Sequence, residues 1–389
     1  MVKNATATAL PHDWETVPLG EHYHFQNGVN ADARAYGRGV PFANVLEVIT
    51  RTHLQVSDIP GRVTLGRETV TTYAVRRGDV LFNRTSETQE EVGLASVYSD
   101  DATAVFGGFV IRGRPKSDAF DPAFSGYAFR APYVRGQIVS KGQGAVRANI
   151  GQSDLKTVLV PRPQPQEQQA IAAALSDADA LIEGLERLIA KKRAIKQGAM
   201  QELFSGRRRL AGFSEEWTIK PLGDLARMKS GEGITSKNIN NFSPFPCYGG
   251  NGLRGYAARY THDGRYALIG RVGALCGNLN IVDGRFFASE HAIVVTPMND
   301  VSVDWLALAL DQLQLNRFSE ASAQPVLTVS KLEKLEIGVP PSKDEQVAIA
   351  SIIFDLTADL EALDVRLAKV RQIKQGMMQE LLTGRVRLV

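Results

Sequence analysis

The chain has 389 residues, 44% of them hydrophobic and 22% charged, with a formal net charge of +3 and a pI near 8.7. That is ordinary globular composition, with room for two or three domains. No apolar run reaches the roughly 18 residues of a membrane span, MVKNATATALPHDWE lacks the apolar core of a signal peptide, and two cysteines, Cys247 and Cys276, suit neither a disulfide framework nor zinc spacing; a cytoplasmic protein is expected.

Residues 1–161 carry short β-like runs broken by Gly and Asn, as in GDVLFNRTSETQEEVGLASVY, and a helix-like stretch near 124–139. This pattern predicts a small α+β domain with long loops. Residues 162–210 read as one helix. Pro161, Pro163 and Pro165 precede it, Glu167 lies in its first turn, and Gly206 stops it. Residues 211–340 repeat the first style, with YGGNGLRGYAARYTHDGRYALIGRVGALCGNL and a helix-like stretch near 303–319. Residues 341–389 form a second helix after Pro340–Pro341, with Asp344 and Glu345 in the first turn and Gly384 at the end.

The two helical segments are copies. From Pro163 to Leu210 against Pro341 to Leu388 the offset is 178, and 25 of 48 positions are identical. A fainter front end, Trp14-x-x-x-Pro18-Leu19-Gly20-Glu21 against Trp217-x-x-x-Pro221-Leu222-Gly223-Asp224, lies at offset 203. Two copies with dissimilar segments between them imply a pseudo-twofold molecule rather than a solenoid.

In the second copy Ile349, Ile353, Leu356, Leu360, Leu363, Leu367, Val370, Met377 and Leu381 keep 4-3 spacing, with Lys374 the misfit. In the first copy Ile171, Leu175, Ala178, Ile182, Leu185, Ile189, Ala199 and Leu203 do so, with Lys192 and Lys196 as misfits. Spacing of this kind marks a coiled-coil seam, and an antiparallel pair within the chain is its simplest solution. A helix from about Glu167 to Phe204 would span roughly 57 Å at about 1.5 Å per residue. The copies also end in basic clusters, seven cations between Lys191 and Arg209 and five between Lys369 and Arg387. Cations favoured by a helix dipole would explain them, as would phosphates or an acidic partner.

Several motifs carry no chemistry. Gly250-Asn251-Gly252-Leu253-Arg254-Gly255 matches GxGxxG, but a dinucleotide site needs a strand before it and a helix after it, and SPFPCY and YAARYTHDGRY supply neither. Asp121-Pro122-Ala123-Phe124 is like the Asp-Pro-Pro-Phe/Tyr motif of amino-methyltransferases, yet helix initiation by Asp-Pro is the better account. The six histidines form no HExxH, and no catalytic constellation or metal site emerges.

IKQGAMQELFSGRRRL and IKQGMMQELLTGRVRL, each following a Pro-rich turn and EQQAIA or EQVAIA, resemble the repeated regions of type I restriction–modification specificity (S) subunits. YGGNGLRGY…ALIGRVGALCGNL…ASEHAIV and GDVLFNRTSE…VGLASVY resemble two versions of that family's target recognition domain. The resemblance covers nearly the whole chain. It implies an α+β fold of two similar target recognition domains separated by two long antiparallel coiled-coil helices. It also implies a non-catalytic subunit that reads a bipartite, asymmetric site in double-stranded DNA. Two copies of a DNA methyltransferase (M) subunit would dock on the repeats, and restriction (R) subunits could join them. No cofactor is expected on this chain; S-adenosylmethionine, ATP and Mg belong to the partners.

Polar side chains in the loops are the candidate base readers, since Arg pairs with guanine and Asn or Gln with adenine. Asn83, Arg84, Thr85, Ser86, Glu87, Arg147 and Asn149 are favoured in the first domain, and Tyr248, Asn251, Arg254 and Arg271 in the second. NRTSE could equally be a turn that fixes its loop. The alternatives are a coiled-coil scaffold without sequence reading, the specificity part of a methyltransferase-only system, and an enzyme in its own right, against which the missing motifs speak.

Overall fold

The computed structural model describes residues 10–144, 147–273, 275–319 and 325–389. The chain divides into two compact units. One runs up to Glu186 and takes in Val365–Val389; the other is Arg187–Asp364. Each unit therefore owns one β-rich domain and half of each long helix.

In the first unit the strand Glu15–Pro18 pairs antiparallel with Leu159–Arg162, so the two ends of the domain are stitched together. Beyond it, Tyr23–Asn27, Val110–Pro115, Val80–Asn83, Ala95–Tyr98 and His53–Leu54 lie side by side in a five-stranded sheet. A second sheet orders Arg62–Val63, Tyr36–Ala43, Ala104–Phe106 and Ala74–Val75. The run Val80-Leu81-Phe82 shows how the layers form. Val80 and Phe82 join a core with Phe124, Phe129, Val134 and Ile138, from the helices Pro122–Ala128 and Pro132–Lys141 and their link. Leu81 points the other way, to Ala43, Tyr98 and Phe106. A strand covered on both faces is apolar without alternation. Asp121 caps the helix Pro122–Ala128, accepting from Phe124 N at 2.9 Å, as Asp-Pro predicts.

The second unit repeats this plan. Thr218–Pro221 pairs antiparallel with Glu336–Val339. One sheet orders Ala226–Ser230, Ala292–Pro297, Tyr266–Gly270 and Leu279–Val282, the other Gly252–Ala257, Phe245–Gly249, Arg285–Ala288 and His262–Asp263. Ala267 and Ile269 pack with Trp305 and Leu306 of the helix Val303–Gln312, while Leu268 meets Phe286 and Val294. The GxGxxG stretch is the turn and outer strand of a hairpin, in the register Gly249↔Gly252.

The long helices are Pro165–Phe204 and Lys343–Leu381, 40 and 39 residues. Both are followed by a glycine with φ +68°, Gly206 and Gly384, the left-handed stop expected there. They run antiparallel within each unit. In the first, Ile171 and Leu175 share a core with Leu381 and Leu382; in the second, Ile349 and Ile353 share one with Leu203. Ile182, Leu356 and Leu363 are half-buried, and Leu185, Ile189, Leu360 and Leu367 are buried. Off the seam, Leu181, Leu188, Ile195, Val365 and Ile373 are exposed.

The identical Glu-Gln pair of the repeat is buried in both copies: Glu167, Gln168, Glu345 and Gln346 are at most 2% exposed. Glu167 binds Arg387 and accepts from Trp14 Nε1 at 2.8 Å. Glu345 binds Arg209 at 2.8 Å and accepts from Trp217 Nε1 at 3.4 Å. Gln168 accepts from Asp121 N and donates to Pro163 O, and Gln346 accepts from Ser302 N and donates to Pro340 O. The first-turn acids thus do more than face a helix dipole: each ties its helix start to the tail of the other helix and to its unit's Trp.

The basic clusters are largely consumed the same way. Lys192 pairs with Asp359, Arg193 with Asp364, Arg371 with Glu186 and Lys374 with Asp179. Lys374 therefore faces the sister helix. Lys196, its counterpart, has Thr357 where Asp179 would be, and no ion pair among the described residues.

Candidate nucleic-acid interface

In the first unit the strand Val80–Asn83 ends at a junction built on backbone. Arg84 N donates to Phe109 O at 2.8 Å, and Arg84 O accepts from Ile150 N at 3.0 Å. The Arg84 guanidinium reaches back to Gly108 O at 3.3 Å. Thr85–Ser86 then pairs antiparallel with Ala148–Asn149, and Thr85 Oγ1 donates to Asn149 Oδ1 at 2.6 Å. Exposed Arg147 and Glu87 meet at 3.7 Å. Asn27, Arg84, Gln143, Asn149 and Gln152 line the cleft beside them. The structure therefore gathers Arg84, Thr85, Glu87, Arg147 and Asn149 on one polar surface.

Two residues favoured from sequence are withdrawn from it. Asn83 is fully buried, and its Nδ2 donates to Glu91 O at 3.0 Å. Ser86 is buried and donates to Glu91 Oε2 at 2.9 Å. They fix the loop, which was the alternative reading of NRTSE. Arg135 holds the same loop through Glu90 O and Val92 O; burial lowers its pKa to about 10. Arg130 likewise spends its guanidinium on the carbonyls of Ala95, Val48 and Arg51. Neither is free to meet a ligand.

In the second unit Tyr248, Arg254 and Arg271 converge on the segment Ser289–His291. Tyr248 O accepts from Ser289 N, and Arg254 Nη1 lies 3.4 Å from Ser289 Oγ. Asn251 is exposed at the hairpin turn. Gly249 makes room for Arg254, because a Cβ there would sit 2.4 Å from Arg254 Cδ. Arg271 N donates to His291 O at 2.8 Å, and Arg271 O accepts from Leu327 N at 2.9 Å. The Arg271 guanidinium reaches Ser230 Oγ at 3.2 Å. Burial pushes the neighbouring Cys247 thiol up, so it stays protonated.

The two junctions are the same. Arg84 and Arg271 each follow the strand at the same place in the sheet, donate to the residue before the next sheet strand, and accept from the segment before a short helix. Gly28 N→Val110 O and Gly231 N→Ala292 O complete the match. NRTSE and GRVGA share no pattern beyond the Arg, so sequence alone does not align them. The sequence reading also passed over Phe109, which is 54% exposed beside the first junction.

A family model for the type I restriction modification DNA specificity domain matches residues 11–192 and 214–370. The chain is 36% identical over 217 residues to the type I restriction enzyme EcoprrI specificity subunit of Escherichia coli, covering 53% of this chain and 54% of that protein; it thus spans about half of that relative's length. It is 23% identical over 414 aligned positions to the putative type I restriction enzyme MjaX specificity subunit of Methanocaldococcus jannaschii, covering 97% and 95%. The crystal structure of a type I restriction–modification S subunit from M. genitalium shares the fold, with a TM-score of 0.66 at 21% identity over 96% of this chain and 98% of that one.

Proposed function

The chain belongs to the type I restriction–modification DNA specificity family, and on that premise we propose that it is the DNA-reading specificity subunit of a cytoplasmic methylation complex. Each unit reads one half of a bipartite, asymmetric site in double-stranded DNA. The observation that carries this reading is the shared junction. One backbone arrangement presents Arg84 in one unit and Arg271 in the other, while the residue that accepts from it is Phe109 in one and His291 in the other. A fixed mount with exchanged neighbours is what two different half-sites require, since phosphate contacts position a protein and base contacts specify the sequence.

The repeated helices recruit two copies of a DNA methyltransferase subunit, and restriction subunits join these. The seam side chains are occupied by the helix pairing, so docking uses side chains outside it, among which Leu181, Leu188, Ile195, Val365 and Ile373 are exposed. Ile195 and Ile373 are equivalent positions of the two copies and offer the same chemistry to an identical partner, as symmetric recruitment demands. This chain is non-catalytic in the proposal. S-adenosylmethionine, and the ATP and Mg of restriction, bind to the partner subunits.

Methylome sequencing of cells carrying this chain and its methyltransferase partner tests the proposal. The expected result is methylated adenine in one asymmetric sequence of two short blocks around an unread gap. Methylation without sequence preference would leave only the scaffold reading.

A further inference from the structure

Phe109 stands where a base reader would be mounted. It follows Gly107 and Gly108 in the turn between Ala104–Phe106 and Val110–Pro115. The turn is tightly built: a Cβ on Gly108 would sit 1.9 Å from Asn30 Oδ1, and one on Gly28 would sit 2.0 Å from Gly107 O. Arg84 holds it by two bonds, N to Phe109 O and Nη1 to Gly108 O. Despite that anchoring the ring is 54% exposed, and it shares a cleft with Asn30, Tyr36, Asn44 and Arg62. The turn is therefore a rigid mount that presents a large apolar side chain outward among polar ones.

The second unit has His291 at the corresponding node, its side chain 44% exposed and 3.3 Å from Glu290. One node thus carries an apolar ring in one unit and an ionisable pair in the other. Divergence at a fixed mount is the pattern of a specificity determinant rather than of a packing residue.

We propose that Phe109 is a specificity-determining residue of the first half-site and that it packs against the C5-methyl group of a thymine. The proposal rests on the DNA-reading function given above. The thymine methyl is the apolar group that base edges offer in the major groove, and Phe is among the side chains that contact it. Exposed Asn30 beside the ring supplies a hydrogen-bonding partner for a flanking edge.

The test uses the full chain with its methyltransferase subunit and duplexes carrying the methylome-derived site, in which each thymine of the first half-site is replaced in turn by deoxyuridine. For the wild type, one replacement weakens binding about fourfold, the worth of one buried methyl group. Phe109→Ala loses about the same on the unmodified site and shows no further loss on that deoxyuridine duplex. The second half-site is read unchanged by Phe109→Ala. A wild-type complex that ignores every deoxyuridine, or a Phe109→Ala complex that still senses the methyl group, overturns the thymine contact. If Phe109→Ala relaxes a position without any methyl dependence, the ring acts as a wedge between base steps and the proposal is again wrong. Failure of the parent reading looks different: the wild-type complex itself would show no preference between this site and random duplex.

Discussion

Lys374 and Lys196 occupy the same place in the two copies of the repeat but keep different company. Lys374 sits in a network: it pairs with Asp179, which accepts from Tyr127 Oη at 2.8 Å, and its ammonium lies 5.5 Å from the Tyr127 ring centroid. Lys196 lines a groove with Thr357, Gln312, Gln314 and Glu361, and forms no ion pair among the described residues. The Glu–Arg–Trp clamp, by contrast, is kept in both units. Duplication has therefore held the groups that close each unit and let the seam polar pair drift. The clamp ties the start of one helix to the tail of the other and to a Trp, whereas the seam lysine modifies a contact that apolar neighbours already secure.

The largest expected effect comes from breaking the clamps. Arg209→Met leaves the buried Glu345 carboxylate with only the 3.4 Å contact from Trp217, and stranding such a charge costs about 3–5 kcal/mol. Arg387→Met should cost less, because Trp14 still donates to Glu167 at 2.8 Å. Urea unfolding followed by tryptophan fluorescence checks the order, since Trp14 and Trp217 sit on the two clamps. Equal losses would mean that the Trp contacts contribute nothing.

The seam asymmetry is next. Asp179→Ala removes the partner of Lys374 and of Tyr127, an expected loss of about 1–3 kcal/mol. Thr357→Asp supplies Lys196 with an acid and should gain at most about 1 kcal/mol. The same asymmetry separates two fragments. Two copies of residues 1–210 would place Asp179 opposite Lys196 at both seams, whereas two copies of 211–389 would place Thr357 opposite Lys374. Sedimentation equilibrium should find the first association tighter, and the reverse order would show that the lysines do not govern it.

Acid produces the smallest effect. Burial holds His53 below its ordinary value, with Nε2 donating to Ala123 O at 2.9 Å. His22 and His262 are lowered by burial as well. An unfolded histidine takes up a proton near pH 6.5, before the folded one does. Stability from these groups is thus complete above about pH 6.5 and falls as the pH drops below it. The thermal midpoint should decline from pH 7 to pH 5, and His53→Gln should flatten part of that slope. An unchanged slope would assign the acid sensitivity elsewhere.

Much of this frame was legible in the sequence. Heptad spacing placed Ile171, Leu175, Ile349 and Ile353 in the seam, and Pro165 and Gly206 or Gly384 bounded the helices, because period and punctuation are local signals. The burial of Glu167 was not legible, since a helix-starting acid looks the same whether it faces water or a distant arginine. Nor could NRTSE show that Asn83 turns inward and Thr85 outward: Asn83 meets Glu91 only once the loop has closed, and Asn149, the partner of Thr85, comes from elsewhere in the chain. The kinship of Arg84 and Arg271 is recorded in backbone hydrogen bonds, which no side-chain pattern encodes. Phe109 lay in plain view in Gly-Gly-Phe between two β runs, and a large apolar residue after paired glycines is the signal to seek.

The proposed division of reading between two equivalent mounts is tested most directly by methylome sequencing with Arg84→Ala and with Arg271→Ala, each in the full chain beside the methyltransferase partner proposed for it. A lost base contact of about 1–3 kcal/mol relaxes one position. Arg84→Ala should relax a position in one half of the site only, and Arg271→Ala a position in the other half only. Two variants that weaken methylation equally at every sequence, or that relax the same half, would contradict the account.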